Sequence, residues 1–201
     1  MANIENFKDE LNYIHDNTIR NFTEYVLKNL PDYFDKISAS SSGKYHPEYT
    51  LGEKGLIRHT KAAVGIAKDL IAADFYEFTN REKDIVIASL ILHDGLKCGY
   101  DKEHTVFEHP ILMQEFVIEK YKKYAETHYM VNLFNVFNVE FQNNIKLIAD
   151  AIASHMGKWT TSKYSNIILP NPKTDIQKCV HLCDYLASRK HLIFDFDTYK
   201  S

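Results

Sequence analysis

The apolar run Ile85-Val-Ile-Ala-Ser-Leu-Ile-Leu92 is long enough to place a helix in the core of any domain this chain forms. It ends in His93-Asp94, and Gly95 and Lys97 follow directly. An imidazole, a carboxylate, a residue suited to a turn and a cation thus appear within five positions. Buried ionisable groups are costly unless they are paired or bound to a metal. A metal centre that handles an anionic substrate accounts for all four residues.

Helical periodicity dominates the rest of the chain. Ile4, Phe7, Leu11 and Ile14 recur at three- and four-residue spacing, and Ile19, Phe22, Val26 and Leu30 continue the pattern to Pro31. Residues 38–50 read as a loop. A helix follows from about Glu53 through Ile57, Ala62, Val64 and Ile66 to about Phe78. Thr79 or Asn80 is placed to cap the helix that carries the apolar run. Residues 95–105 form a loop, and Pro110 opens a helix to Thr127, where proline suits the first turn. Further helices cover Phe141 to Ser154 and Thr174 to Lys190, with a loop over 157–172 between them. Only Val131 to Val139 alternates as a strand does, and its asparagines suit a loop or short hairpin equally. The expected fold is an all-α bundle of six to eight helices. A length of 201 residues suits one domain over 1–201, with a motif-bearing core at about 55–189 and N-terminal helices 3–37 packed on it.

A net charge of −3 argues against a large basic face for duplex DNA. Cys98, Cys179 and Cys183 are odd in number and form no C-x-x-C pair, which suits a reducing cytoplasm. The opening residues carry no signal-peptide core, and no apolar stretch is long enough for a membrane span. Cys179 and Cys183 read as small core residues.

Among ten histidines, His59, His93, His109 and His155 form a series with Asp94 and Asp184. Taken singly, each is more often a core or capping residue than a ligand. Together, His93, Asp94 and His155 end apolar helices and His109 begins one, positions from which a bundle converges side chains on one centre. Imidazole with carboxylate suits Mn, Fe, Co, Ni or Zn better than Mg or Ca, which prefer oxygen shells.

The order His59, His93-Asp94, Asp184, with the flanks Gly-Leu-Ile-Arg-His-Thr, His-Asp-Gly-Leu-Lys and Asp-Tyr-Leu-Ala-Ser-Arg, resembles the H…HD…D signature of HD-domain metal-dependent phosphohydrolases. The likeness runs from about Gly55 to Arg189. It implies that His59, His93, Asp94 and Asp184 hold one divalent metal. It also implies that His109 and His155 hold a second, with Asp94 bridging. The single His155 and the missing GYP text set the chain apart from the cyclic-dinucleotide phosphodiesterases of that superfamily.

The resemblance makes a metal-activated water the expected nucleophile, with Asp94 central to catalysis and Lys97 contacting a phosphate oxygen. The loop Ser40-Ser-Ser-Gly-Lys-Tyr-His46 offers Lys44 and His46 to a substrate, though it lacks the P-loop spacing. Lys158 and Trp159 offer a cation and a stacking face. His181 lies three residues before Asp184 and reads as core filling. The expected substrate is a nucleotide or a short single strand of RNA or DNA, with no membrane and no duplex DNA as partner. A homodimer is compatible with the apolar helix count. Two other functions use the same residues: an HD-type di-iron oxygenase, and a non-catalytic domain that binds a nucleotide.

Overall fold

The structure is a computed structural model that describes residues 2–100, 104–128 and 135–192. Among these residues it is all-helical, with eight α-helices and no strand. They are α1 (Ala2–Asn6), α2 (Lys8–Leu11), α3 (Asn17–Lys28), α4 (Gly55–Ala72), α5 (Asn80–Leu92), α6 (His109–His128), α7 (Asn135–Ala153) and α8 (Asp175–Ala187). A 3-10 turn at Glu48–Thr50 interrupts the long loop before α4.

The apolar run becomes α5, and every residue from Asp84 to Leu92 is buried. A helix that is apolar on all sides must be surrounded. Accordingly α5 packs against α3, α4, α7 and α8. Its start is fixed by a capping box, in which the Thr79 hydroxyl accepts from Glu82 N–H and the Glu82 carboxylate accepts from Thr79 N–H. Buried Asp84 is satisfied from outside its helix, because its carboxylate accepts the backbone N–H groups of His15 (3.0 Å) and Asp16 (2.7 Å). Asp16 in turn caps α3, accepting from Thr18 and Ile19 N–H. One carboxylate therefore ties the entry of α3 to the central helix.

The N-terminal segment belongs to the same core: Phe7, Leu11, Ile14, Ile19 and Phe22 are all buried in it. The periodicity over Ile4 to Ile14 breaks at Phe7, whose backbone (φ −117°, ψ 20°) separates α1 from α2 while its ring stacks on Phe34 at 6.0 Å. A bidentate ion pair from Lys61 to Glu10 (2.9 and 2.8 Å) fastens α2 to α4.

The two largest differences from the expected boundaries are in α4 and α7. Helix α4 stops at Ala72, well before Phe78, where Asp74 takes a left-handed turn at φ 50°. Helix α7 starts at Asn135, so the second half of the alternating stretch Val131 to Val139 is helical; residues 131–134 lie outside the described part. Extending an existing helix costs less than nucleating a separate element, which favours adding Asn135 to Val139 onto the strongly periodic 141–153 segment. Cys179 and Cys183 are buried and unbridged, as small core residues. Among the described residues no helix is long and apolar enough to cross a membrane.

Leu90 is fully buried at the middle of this packing. Leu90→Ala is expected to cost about 2–5 kcal/mol, because the close-packed surroundings collapse only partly onto the lost methyls. Urea denaturation followed by circular dichroism measures it, and a loss well below 1 kcal/mol would show that α5 is not the core helix.

Candidate metal centre

Six side chains from five helices or their ends meet in the interior. His59 lies in the second turn of α4, His93 and Asp94 just beyond the last turn of α5, His109 at the first residue of α6, His155 just past α7, and Asp184 in α8. They form two donor groups whose atoms lie within 4.8 Å of one another: His59, His93, Asp94 and Asp184, and then Asp94, His109 and His155. The six residues named from the sequence are therefore brought together, and Asp94 belongs to both groups.

The division runs through the Asp94 carboxylate itself. Its Oδ2 faces His93 Nε2 at 3.4 Å and His59 Nε2 at 3.8 Å. Its Oδ1 faces His109 Nε2 at 3.0 Å and His155 Nε2 at 3.6 Å. Asp184 Oδ1 closes the first group, 2.9 Å from His59 Nε2 and 3.5 Å from His93 Nε2. Metal–ligand bonds of about 2.0–2.1 Å put neighbouring ligand atoms about 3.0–3.4 Å apart. The donor spacings are of that size.

The imidazoles are oriented by their own local turns. His93 Nδ1 donates to Leu90 O, His109 Nδ1 to Val106 O and His155 Nδ1 to Ile152 O, each at 2.7 Å and each three residues back. Leu90 and Ile152 carry carbonyls of final helical turns, which lack intrahelical partners. With Nδ1 donating to its carbonyl, each ring turns its Nε2 inward, as metal-ligating histidines do. His109 Nε2 and His155 Nε2 then face each other at 3.2 Å. Two ring nitrogens at that distance, with a carboxylate oxygen beside them, are placed to share a cation. His93 Nε2 and Asp94 Oδ1 are buried without a hydrogen-bond partner, which is the same demand seen atom by atom. The residues present therefore fit a metal ion.

Electrostatics agree. Burial alone would raise the Asp94 carboxyl, but Lys97 and His93 outweigh it and hold it well below the usual range. Burial likewise opposes ionisation of Asp184, and the hydrogen bonds from His59 and His93 overcome it. Burial would depress His93, yet Asp94 and Asp184 lift it from 6.5 to about 10, so positive charge at this position is strongly favoured. Burial, with His93 nearby, lowers His155 to about 3 and keeps its ring neutral.

The remaining candidates surround this cluster. Lys97 reaches the Asp94 Oδ2 atom at 2.6 Å, so its ammonium rests on the shared carboxylate. The turn that carries it is pinned where the Tyr33 hydroxyl accepts from Cys98 N–H (3.2 Å) and donates to Gly99 O (2.6 Å). Gly95 is needed for space: a Cβ there would lie 2.7 Å from Leu30 Cδ2 and 2.8 Å from Met113 Sδ. The His46 ring sits 5.5 Å from that of His59, and burial lowers its pKa to about 4. Lys44 is exposed and lies over the Tyr45 ring; Lys158 lies over the Trp159 ring. These substrate candidates thus sit outside the cluster, with His46 nearest to it.

Two supporting residues were missed or misread from sequence. Arg58 donates to the carbonyls of Tyr49, Leu51 and Glu53 and so fastens the loop before α4 beside His59. His181 does more than fill space, since its Nδ1 donates to His155 O at 2.7 Å. Its ring lies where a Cβ on Gly157 would be, 2.1 Å from Cε1, and Gly157 has φ 62°. Backbone partners leave no side-chain pattern, so neither role had a sequence signal.

Comparison with protein-family models, curated proteins and solved structures gives no match, and the reading of the centre rests on its geometry.

Two outcomes are expected. Adding Mn, Co, Ni or Zn to chelator-treated protein raises the melting temperature, corresponding to about 2.7 kcal/mol when free metal is a hundredfold above Kd. Asp94→Ala removes that response; an unchanged response in the variant would place the metal elsewhere. Gly157→Ala, strained by both φ and the His181 ring, should weaken metal binding at least tenfold in a competition titration with a chromogenic chelator, while retained affinity would show that the turn does not position His155.

Proposed function

We propose that the protein is a metal-dependent phosphohydrolase of the HD type, acting on a phosphoester of a nucleotide or short single strand. The observation that carries this reading is the split of Asp94, with one carboxylate oxygen turned to each donor group and the Lys97 ammonium at the same carboxylate. On this reading His59, His93, Asp94 and Asp184 hold one divalent transition metal, and Asp94, His109 and His155 a second. Such metals supply a bound water acidic enough to attack at neutral pH and a positive charge against a phosphoryl oxygen.

The protein's own groups prepare the site for that chemistry. The side chains of His59, His93 and Asp94 are wholly buried, His109 and His155 nearly so, whereas Asp184 is 17% and Lys97 12% exposed. A phosphate therefore approaches along the Asp184–Lys97 edge, and the other walls exclude bulk water. Burial opposes charge on Lys97, but Asp94 and Asp184 raise its pKa, so it meets an incoming anion as an ammonium. His46, beside His59, stays neutral near pH 7 and offers the substrate a donor or acceptor without adding charge.

A screen of phosphomonoesters and phosphodiesters with Mn, Co, Ni, Mg and Fe added separately tests the reading. Metal-stimulated phosphate release that is lost in Asp94→Ala is the expected result. Lys97→Ala should lower kcat at least tenfold while metal content stays unchanged, since the ammonium acts on the substrate's charge. Loss of metal in that variant would instead make Lys97 a structural partner of Asp94. Oxygen consumption with iron and no hydrolysis of any ester would favour the di-iron oxygenase, and neither activity would favour a non-catalytic nucleotide-binding domain.

A further inference from the structure

Beside the open edge of the centre, six side chains from three distant segments stack into one column. Lys44 lies 5.0 Å from the Tyr45 ring centre, and the Arg189 guanidinium lies 5.3 Å from the same ring. On its other side Arg189 is 4.4 Å from the Tyr185 ring, and Tyr185 stacks on Trp159 at 5.6 Å with 19° between the planes. Lys158 lies over Trp159 at 5.3 Å. The order is cation, ring, cation, ring, ring, cation.

Each segment of the column also carries a residue in the centre or beside it. Tyr45 precedes His46, Tyr185 follows Asp184, and Trp159 stands four residues after His155. Trp159 contacts the His181 ring at 6.1 Å, and His181 holds the His155 carbonyl. The column is fixed in its middle, where Arg189 donates to Ser188 Oγ and Lys190 N–H donates to Tyr45 O at 2.8 Å. Its end rings are partly open: Trp159 is 43% and Tyr45 54% exposed, and a flexible lysine lies over each. Among the described residues no carboxylate pairs with Lys44, Lys158 or Arg189. Three cations without a carboxylate partner among the described residues and two partly exposed rings, next to a site that opens at Asp184 and Lys97, suit a ligand that is both anionic and aromatic.

We propose that this column is the base-binding edge of the site, taking a nucleobase on the Trp159 ring that Lys158 covers while that lysine moves to the phosphate. The proposal rests on the phosphohydrolase reading for the role of the centre, and it adds that the substrate is recognised by an unstacked base. Every base has a flat π face, so stacking tolerates base identity, and a paired base inside a duplex has no free face to give. The ligand is a free nucleotide or the unpaired end of a single strand. Arg189 is a positioning residue that fixes Tyr185 against Tyr45, and Trp159 is the contact.

Trp159 is the chain's one tryptophan, so its emission reports the column alone. The full chain, with chelator present to prevent turnover, is titrated with AMP, UMP, ribose 5-phosphate and a 5′-phosphorylated adenylate pentamer. AMP and UMP should quench emission saturably, and ribose 5-phosphate should not. By calorimetry, Trp159→Leu should bind AMP about tenfold more weakly, and Trp159→Phe should recover most of that loss. Tighter binding of the pentamer than of AMP assigns a strand end, and equal binding assigns a free nucleotide. Absence of quenching by both nucleotides, or equal affinity for AMP and ribose 5-phosphate, overturns the proposal, as does wild-type AMP affinity in a folded Trp159→Leu protein. Base-dependent quenching in a protein that hydrolyses no ester leaves the column and removes the hydrolase. Metal-stimulated hydrolysis that is indifferent to the base does the reverse.

Discussion

A carboxylate with no exposed surface organises this molecule. Asp94 lies at the end of the most buried helix, and an isolated charge there would cost many kcal/mol in lost hydration. Every polar neighbour answers it: His59, His93 and Lys97 at one oxygen, His109 and His155 at the other. The ends of α5 and α7 converge there and bring the His93 and His155 turns to Asp94, and the α4 and α8 residues close the first donor group around it. Both α5 and α7 arrive by their C-termini, whose partial negative charge favours a cation in the same place.

That convergence explains what was readable from the chain. A histidine or aspartate that ends an apolar helix is visible as a break in periodicity, as at His93-Asp94 and His155, and a histidine opening one is nearly as plain at His109. His59 and Asp184 lie inside helices, and their assignment needed the order of the whole series. The helices were legible for the same reason, because the amphipathic spacing at Ile145, Ile148 and Ile152 leaves one solution. Where two patterns overlapped, at Asn135 to Val139, the short alternation lost to the adjoining helix.

Side-chain assemblies across segments were not legible. Arg189 meets Tyr45 across more than a hundred residues, and nothing local to either marks the pairing. Trp159 was recognisable as a stacking face, but its stacked partner Tyr185 was not. Lys97 was foreseen at the site, and the structure sets it on Asp94, where its charge serves the carboxylate as well as any ligand. Tertiary geometry decides such contacts, and spacing along the chain carries no record of it.

The three imidazoles held by the carbonyl three residues behind them separate two tasks that a fold usually solves together. Helix packing decides where each ring sits, but four consecutive residues decide which way it points. A helix can slide or tilt slightly and carry its imidazole along with the aim unchanged. Most of the surrounding sequence is therefore free to drift under mutation, provided apolar positions stay apolar. A centre built this way can outlast any recognisable similarity in the chain that bears it.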